Sequence, residues 1–145
     1  MRPANILLVE DNRGDIVVVK MSLRRHGIQH TLHVVNDGDQ ALNYIARMGQ
    51  SDDAPFPDIV LLDLNLPKVD GPEVLRVFRQ RSDCAHVPVV VITSSDAPSD
   101  REQVAALGIN YYFKKPTDFE SFMEVGAIIG SFIGEAGKGE QAGAG

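Results

Sequence analysis

The residues able to do chemistry in this 145-residue chain sit at one kind of place, just after short apolar runs. Glu10 and Asp11 follow Ile6-Leu7-Leu8-Val9, Asp63 follows Ile59-Val60-Leu61-Leu62, and Thr93 follows Val89-Val90-Val91-Ile92. Lys115 comes two positions after Tyr111-Tyr112-Phe113 and is followed by Pro116. Carboxylates brought that close cannot all stay ionised cheaply. A hard divalent cation resolves the conflict, and oxygen-only ligands favour Mg2+ or Mn2+ over zinc. One carboxylate flanked by a cation, a hydroxyl and an ammonium is a nucleophile suited to phosphorus. The cation, Lys115 and Thr93 would each neutralise one equatorial oxygen of a transferring phosphoryl group. Taken singly, an Asp after a strand is most often a turn residue or a helix cap, and a Lys is most often a surface charge. The joint pattern, at the ends of four of the five apolar runs, is what points to a site.

These residues meet only if the runs are neighbouring strands of one sheet. The runs, with Leu32-His33-Val34-Val35 as the remaining one, are strand-length and rich in β-branched residues, and longer stretches with helical spacing separate them. Strands alternating with helices give βαβ units and a mostly parallel sheet, and runs apolar at every position fit strands covered on both faces. Ligands bind beyond the carboxyl ends of such strands. The first helix starts after Asn12, uses Ile16, Val19 and Leu23, and stops at Gly27, although Val17-Val18-Val19 works against helix propensity. The second follows Asp37-Gly38 with Ala41, Leu42, Ile45 and Met48, and the third has Pro72 near its first position. Ser99-x-x-Glu102 and Thr117-x-x-Glu120 read as capping boxes opening the fourth and fifth helices. The result is (βα) five times, with a polar connection over 49–57 and a Gly-rich, flexible tail expected over 134–145.

The blocks Ile6-Leu7-Leu8-Val9-Glu10-Asp11-Asn12, Asp58 through Pro67 with Asp70-Gly71, Val89 through Ser94, and Lys115-Pro116 occur in order. They resemble the receiver domain of two-component response regulators, over roughly residues 4–133. That resemblance implies a flavodoxin-like α/β fold: three α/β/α layers, a five-stranded parallel sheet of order 2-1-3-4-5, and a receiver domain over 1–133. It implies Asp63 as phosphoacceptor and Asp11 as direct metal ligand, with Glu10 acting beside it and the backbone carbonyl of Asn65 completing the set. It implies Thr93 as the hydroxyl that turns toward the phosphoryl group, Lys115 as its ammonium partner, Tyr112 as an aromatic switch, and a cis bond before Pro116. Glu10 stands where Asp is commoner in the family. The cofactor implied is Mg2+, with Mn2+ possible. The implied phosphoryl donor is a sensor histidine kinase or a histidine phosphotransfer protein, with the phytochrome-associated branch as the best match.

Fourteen basic against twenty acidic residues, a net charge of -6, argue against a non-specific nucleic-acid binder. No apolar run reaches the ~18–20 residues of a membrane span, and one cysteine, Cys84, permits no internal disulfide. A cytoplasmic, stand-alone receiver is the expectation. On the fifth helix, Gly126, Gly130 and Gly134 recur every fourth residue among Ile128, Ile129, Phe132 and Ile133. This stripe fits either packing within the domain or a homodimer and output face, and the nearly all-round apolarity favours the dimer. Three alternatives stand beside the switch reading. A phosphorelay intermediate or phosphate sink shares all of these residues. A non-phosphorylated receiver-like interaction module would be expected to lose some of them. An Asp-nucleophile phosphatase would need a second Asp where Asn65 stands.

Overall fold

The computed structural model describes residues 2–134. Its strands are β1 (Ala4–Val9), β2 (His30–Val35), β3 (Ile59–Leu62), β4 (Val89–Thr93) and β5 (Tyr111–Lys114). They form one parallel sheet in the order β2-β1-β3-β4-β5. The helices are α1 (Arg13–Arg25), α2 (Gly38–Arg47), α3 (Gly71–Gln80) and α4 (Pro98–Leu107), and a last helical region divided into α5 (Phe119–Phe122) and α6 (Val125–Phe132). This is the three-layer, flavodoxin-like architecture that the sequence implies, with its five apolar runs as the five strands.

Side chains alternate across a strand, so each apolar run feeds two cores. Leu7, Val9, Val60, Leu62, Val89 and Val91 pack on one face with residues of α2, α3 and α4. Ile6, Leu8, Ile59, Leu61, Val90 and Ile92 pack on the other with residues of α1, α5 and α6. Every residue of β3 and β4 is buried, which is why those runs carry no polar position before their ends.

Three helix starts are as expected. Asn12, Asp37 and Asp70 each accept a hydrogen bond from the backbone N–H three residues on. The two capping boxes are not. α4 opens on Pro98, whose missing N–H suits the first helical position, so Ser99 falls inside the first turn and Ala97 precedes the helix without a side-chain cap. Asp118, not Thr117, caps α5, accepting from Ser121 N–H at 2.9 Å.

Of the glycine stripe, Gly126 belongs to the domain's own packing, whereas a Cβ at Gly130 would meet only Ile28 at 3.6 Å and one at Gly134 nothing. A Cβ on Gly126 would lie 2.5 Å from His26 Cδ2 and 2.7 Å from the Ser22 carbonyl oxygen on α1. Ile129 and Ile133 are buried in the core beneath, while Ile128 and Phe132 pack at its margin. The helix is covered by α1 as well as by the sheet, and Ile128 and Phe132 stay half-buried at the margin, where the expected homodimer contact would have to form. Gly126→Ala is expected to destabilise the protein by ~2 kcal/mol, since neither the α1 backbone nor α6 can yield without opening their interface. Urea unfolding checks this, and an unchanged midpoint would mean that the two helices separate freely.

Candidate functional site: an acidic cluster around one buried lysine

The carboxyl ends of β1, β3 and β5 place the carboxylates and Lys115 together, and Thr93 ends the neighbouring strand β4. The backbone fixes their depth: Asp63 N–H donates to Val9 O at 3.0 Å, Glu10 N–H to Val35 O at 3.0 Å, and Lys115 N–H to Thr93 O at 2.8 Å. Each residue that ends a strand is thereby held by the ladder next to it. Oxygen atoms of Glu10, Asp11 and Asp63 lie within 4.8 Å of one another. Glu10 and Asp63 are buried, at 2% and 6% exposure, and Thr93 is fully buried. Asp11 is exposed and lines an open groove of about 460 Å3 with Leu64, Asn65, Pro67 and Asp100. Gly71, at the start of α3, closes the floor: a Cβ there would sit 2.4 Å from the Asp63 carbonyl oxygen, so only glycine lets that helix begin so near the acidic cluster.

Lys115 is the hub. Its Nζ lies 2.8 Å from Glu10 Oε1, 2.7 Å from Asp15 Oδ2 and 3.2 Å from Asp63 Oδ2. Lys114, on the opposite face of the strand end, is exposed. Burial works against the Lys115 charge, but hydrogen bonds to Asp15 and Glu10 and the charges of Asp63 and Glu10 outweigh it, and the ammonium is held well above its ordinary pKa. Burial, with the Asp63 charge beside it, pushes the Glu10 carboxyl up to about 7 against the pull of Lys115. The remaining contacts are local. Asn12 N–H donates to Glu10 Oε2 at 3.1 Å, and Asn65 N–H donates to Asp63 Oδ1 at 3.2 Å.

Thr93 Oγ1 accepts from Ser95 N–H at 3.3 Å. The Tyr112 hydroxyl donates to Ser95 O at 2.8 Å, and the Arg101 guanidinium lies 4.2 Å from the centroid of the Tyr112 ring. Both residues expected to act as switches thus converge on the β4–α4 loop at Ser95. Two findings differ from expectation. The Lys115–Pro116 bond is trans, with no cis peptide among the described residues. The trans form is the intrinsically favoured one for X–Pro by ~0.5–1 kcal/mol, and Lys115 already reaches Asp63 from it. Asp15 belongs to the cluster although no strand end carries it: it enters from the first turn of α1, four residues after Asp11.

Comparison with known proteins shows the family and the fold. The family model described as "Response regulator receiver domain" matches residues 6–126. The response regulator Rcp1 of Synechocystis is 37% identical over 130 residues, spanning 90% of this chain and 88% of Rcp1. Its Mn2+-bound crystal structure superposes with a TM-score of 0.80, covering 90% of this chain and 94% of that one. The phosphorylated cyanobacterial phytochrome response regulator RcpA is 32% identical with a TM-score of 0.83, over 92% of this chain and 96% of its own. The receiver domain of the sensor histidine kinase PA1611 from Pseudomonas aeruginosa, with magnesium coordinated in its active-site cleft, is 31% identical with a TM-score of 0.72, over 91% and 98%. Divalent metal binding fits the donor set here, which consists of carboxylate oxygens alone.

Proposed function

The chain belongs to the response regulator receiver domain family, and from that premise we propose that it is a Mg2+-dependent switch that takes a phosphoryl group onto Asp63 from a phosphohistidine. The observation that carries this reading is the gathering of Glu10, Asp11 and Asp63 oxygens within 4.8 Å, with the Lys115 ammonium 3.2 Å from the Asp63 carboxylate. A divalent cation held by Glu10, Asp11, Asp63 and the Asn65 carbonyl would draw charge from the phosphoryl oxygens and screen the carboxylates from the incoming anion. The donor is a sensor histidine kinase or a histidine phosphotransfer protein. The likeness to RcpA supports a phytochrome-type kinase, and the chain would then work in the cytoplasm.

Asp63 attacks in line. Its carboxylate oxygen forms the new O–P bond as the N–P bond of the phosphohistidine breaks, and the imidazole leaves with the electron pair. Lys115 meets one of the phosphoryl oxygens and Thr93 another. Water attack on the acyl phosphate later releases phosphate and restores the carboxylate. Phosphorylation adds roughly -1.5 to -2 charge, and Thr93 turns toward it. That movement disturbs Ser95, to which Thr93 and Tyr112 are both bonded, so the surface of α4, β5 and α6 changes with Tyr112. Two packings of one fold exchange population.

Incubation with acetyl phosphate and Mg2+, followed by intact mass measurement, is expected to show a gain of one phosphoryl group. A chelator in place of Mg2+ is expected to suppress the gain. Protein left unmodified in the presence of Mg2+ would overturn the reading.

A further inference from the structure

The three carboxylates on Lys115 are not equivalent. Glu10 and Asp63 are buried members of the cation cluster, while Asp15 stands outside it, on α1, with its side chain 23% exposed. The ammonium donates a hydrogen bond to Asp63 at 3.2 Å and is ion-paired with Asp15 at 2.7 Å and Glu10 at 2.8 Å. A phosphoryl oxygen on Asp63 must therefore compete for Lys115 with two carboxylates that already lie closer to the ammonium than Asp63 does.

Asp15 is fixed where it stands. It occupies the first turn of α1, and its backbone N–H donates to the Asn12 cap at 3.0 Å. An acidic side chain at a helix N-terminus is also favoured by the helix dipole. The carboxylate is thus presented to Lys115 by a helix, and among the described residues no other basic side chain pairs with it.

We propose that Asp15 is a positioning residue that competes with the phosphoryl group for Lys115: it draws the ammonium toward α1 in the resting protein and so weakens the hold of the site on an anion at Asp63. The inference rests on the phosphoacceptor reading given above. It assigns to α1 a part in setting how strongly the phosphorylated state is favoured, through the one cation that both carboxylates share. Because Asp15 lies outside the cation cluster, its effect is exerted on the lysine and on the net charge around it, not on metal ligation.

Beryllofluoride, a tetrahedral mimic of the phosphoryl group, tests this without turnover. Its binding in the presence of Mg2+ is followed by 19F NMR. Asp15→Asn is expected to bind it ~3–10-fold more tightly than the native chain at low ionic strength. Asp15→Glu, which keeps the charge, is expected to stay within about twofold of native. Asp52→Asn, the same charge change on the exposed α2–β3 connection, is expected to have no effect. In the metal-free protein the Lys115 ammonium resonance should shift in Asp15→Asn and not in Asp52→Asn. Unchanged or weaker binding by Asp15→Asn overturns the proposal, as does an equal effect of the Glu variant, which would signal a merely structural role. A native chain that binds no beryllofluoride overturns the phosphoacceptor reading itself, and this proposal with it. Thermal melts of each variant identify one that fails to fold. In that case the Lys115 resonance of Asp15→Glu decides, and a native-like resonance there upholds the charge-based role.

Discussion

Asp63→Asn is expected to abolish phosphoryl uptake completely, from acetyl phosphate and from phosphohistidine alike. The replacement keeps shape but turns one acceptor oxygen into a donor and removes the nucleophile, since an amide cannot carry the acyl phosphate. None of the neighbouring carboxylates is placed to substitute. Glu10 is tied to Lys115 and to Asn12 N–H, Asp15 is held from α1, and Asp11 is exposed at the mouth of the groove. Intact mass followed by mapping of the modified peptide checks the loss, and an adduct that persists on Asp11 would move the acceptor. The same substitution has a second readout. It removes one of three crowded negative charges and forfeits only the longest of the three Lys115 contacts. The metal-free variant is therefore expected to gain about 1 kcal/mol of stability, or ~2–4 °C in the melting midpoint. A drop in the midpoint would mean that the ion pair outweighs the repulsion.

Lys115→Ala is expected to be the most damaging single change to the metal-free fold, costing on the order of 3 kcal/mol at pH 8. The lysine is buried, and its loss leaves Glu10 and Asp63 facing one another without a cation. The sign of the pH dependence follows from Glu10. Burial raises its carboxyl from 4.5 to about 7 in the folded protein. A carboxyl that holds its proton more tightly when folded favours folding below its ordinary value and loses that contribution as pH rises through about 7. Lys115, raised above its own ordinary value, contributes fully across this window and loses its contribution only at strongly alkaline pH. Removing the lysine pushes Glu10 higher still. The difference between native and variant should therefore be small near pH 5.5, where Glu10 takes a proton, and large at pH 8, where it must ionise. Comparing the two proteins at each pH cancels the opposing effect of His33, whose pKa burial lowers. Millimolar Mg2+ should restore much of the loss at pH 8, because a bound cation replaces the missing positive charge. A cost that does not vary with pH would show that Glu10 stays charged throughout.

The sheet was legible because β3 and β4 are buried on both faces, which leaves a run of β-branched and leucine residues with no other reading. The site was legible for the same reason: the first polar residue after such a run marks where the strand leaves the core, and in a parallel sheet those points share one edge. Asp15 escaped because it reaches the cluster from a helix, where an acidic residue in the first turn is ordinary capping chemistry. The boxes at Ser99 and Thr117 misled because Pro98 takes the first position of α4 and Asp118 caps α5 in their place. Gly126 announces that something comes close but not what comes. Only the structure identifies the visitor as Ser22 of α1 and His26 just beyond its end.

The break between α5 and α6 has one more consequence. The Met123 carbonyl, released from helical bonding, accepts from the Ser22 hydroxyl and approaches His26 Nε2 at 3.0 Å, while Ser22 Oγ in turn accepts from Gly126 N–H at 2.8 Å. The inward side of α1 is therefore completed by residues more than a hundred positions downstream. A protein in which the segment 123–126 is missing is expected to leave the Ser22 hydroxyl and that side of α1 open to water. The Ser22 hydroxyl thus latches α1 to that segment.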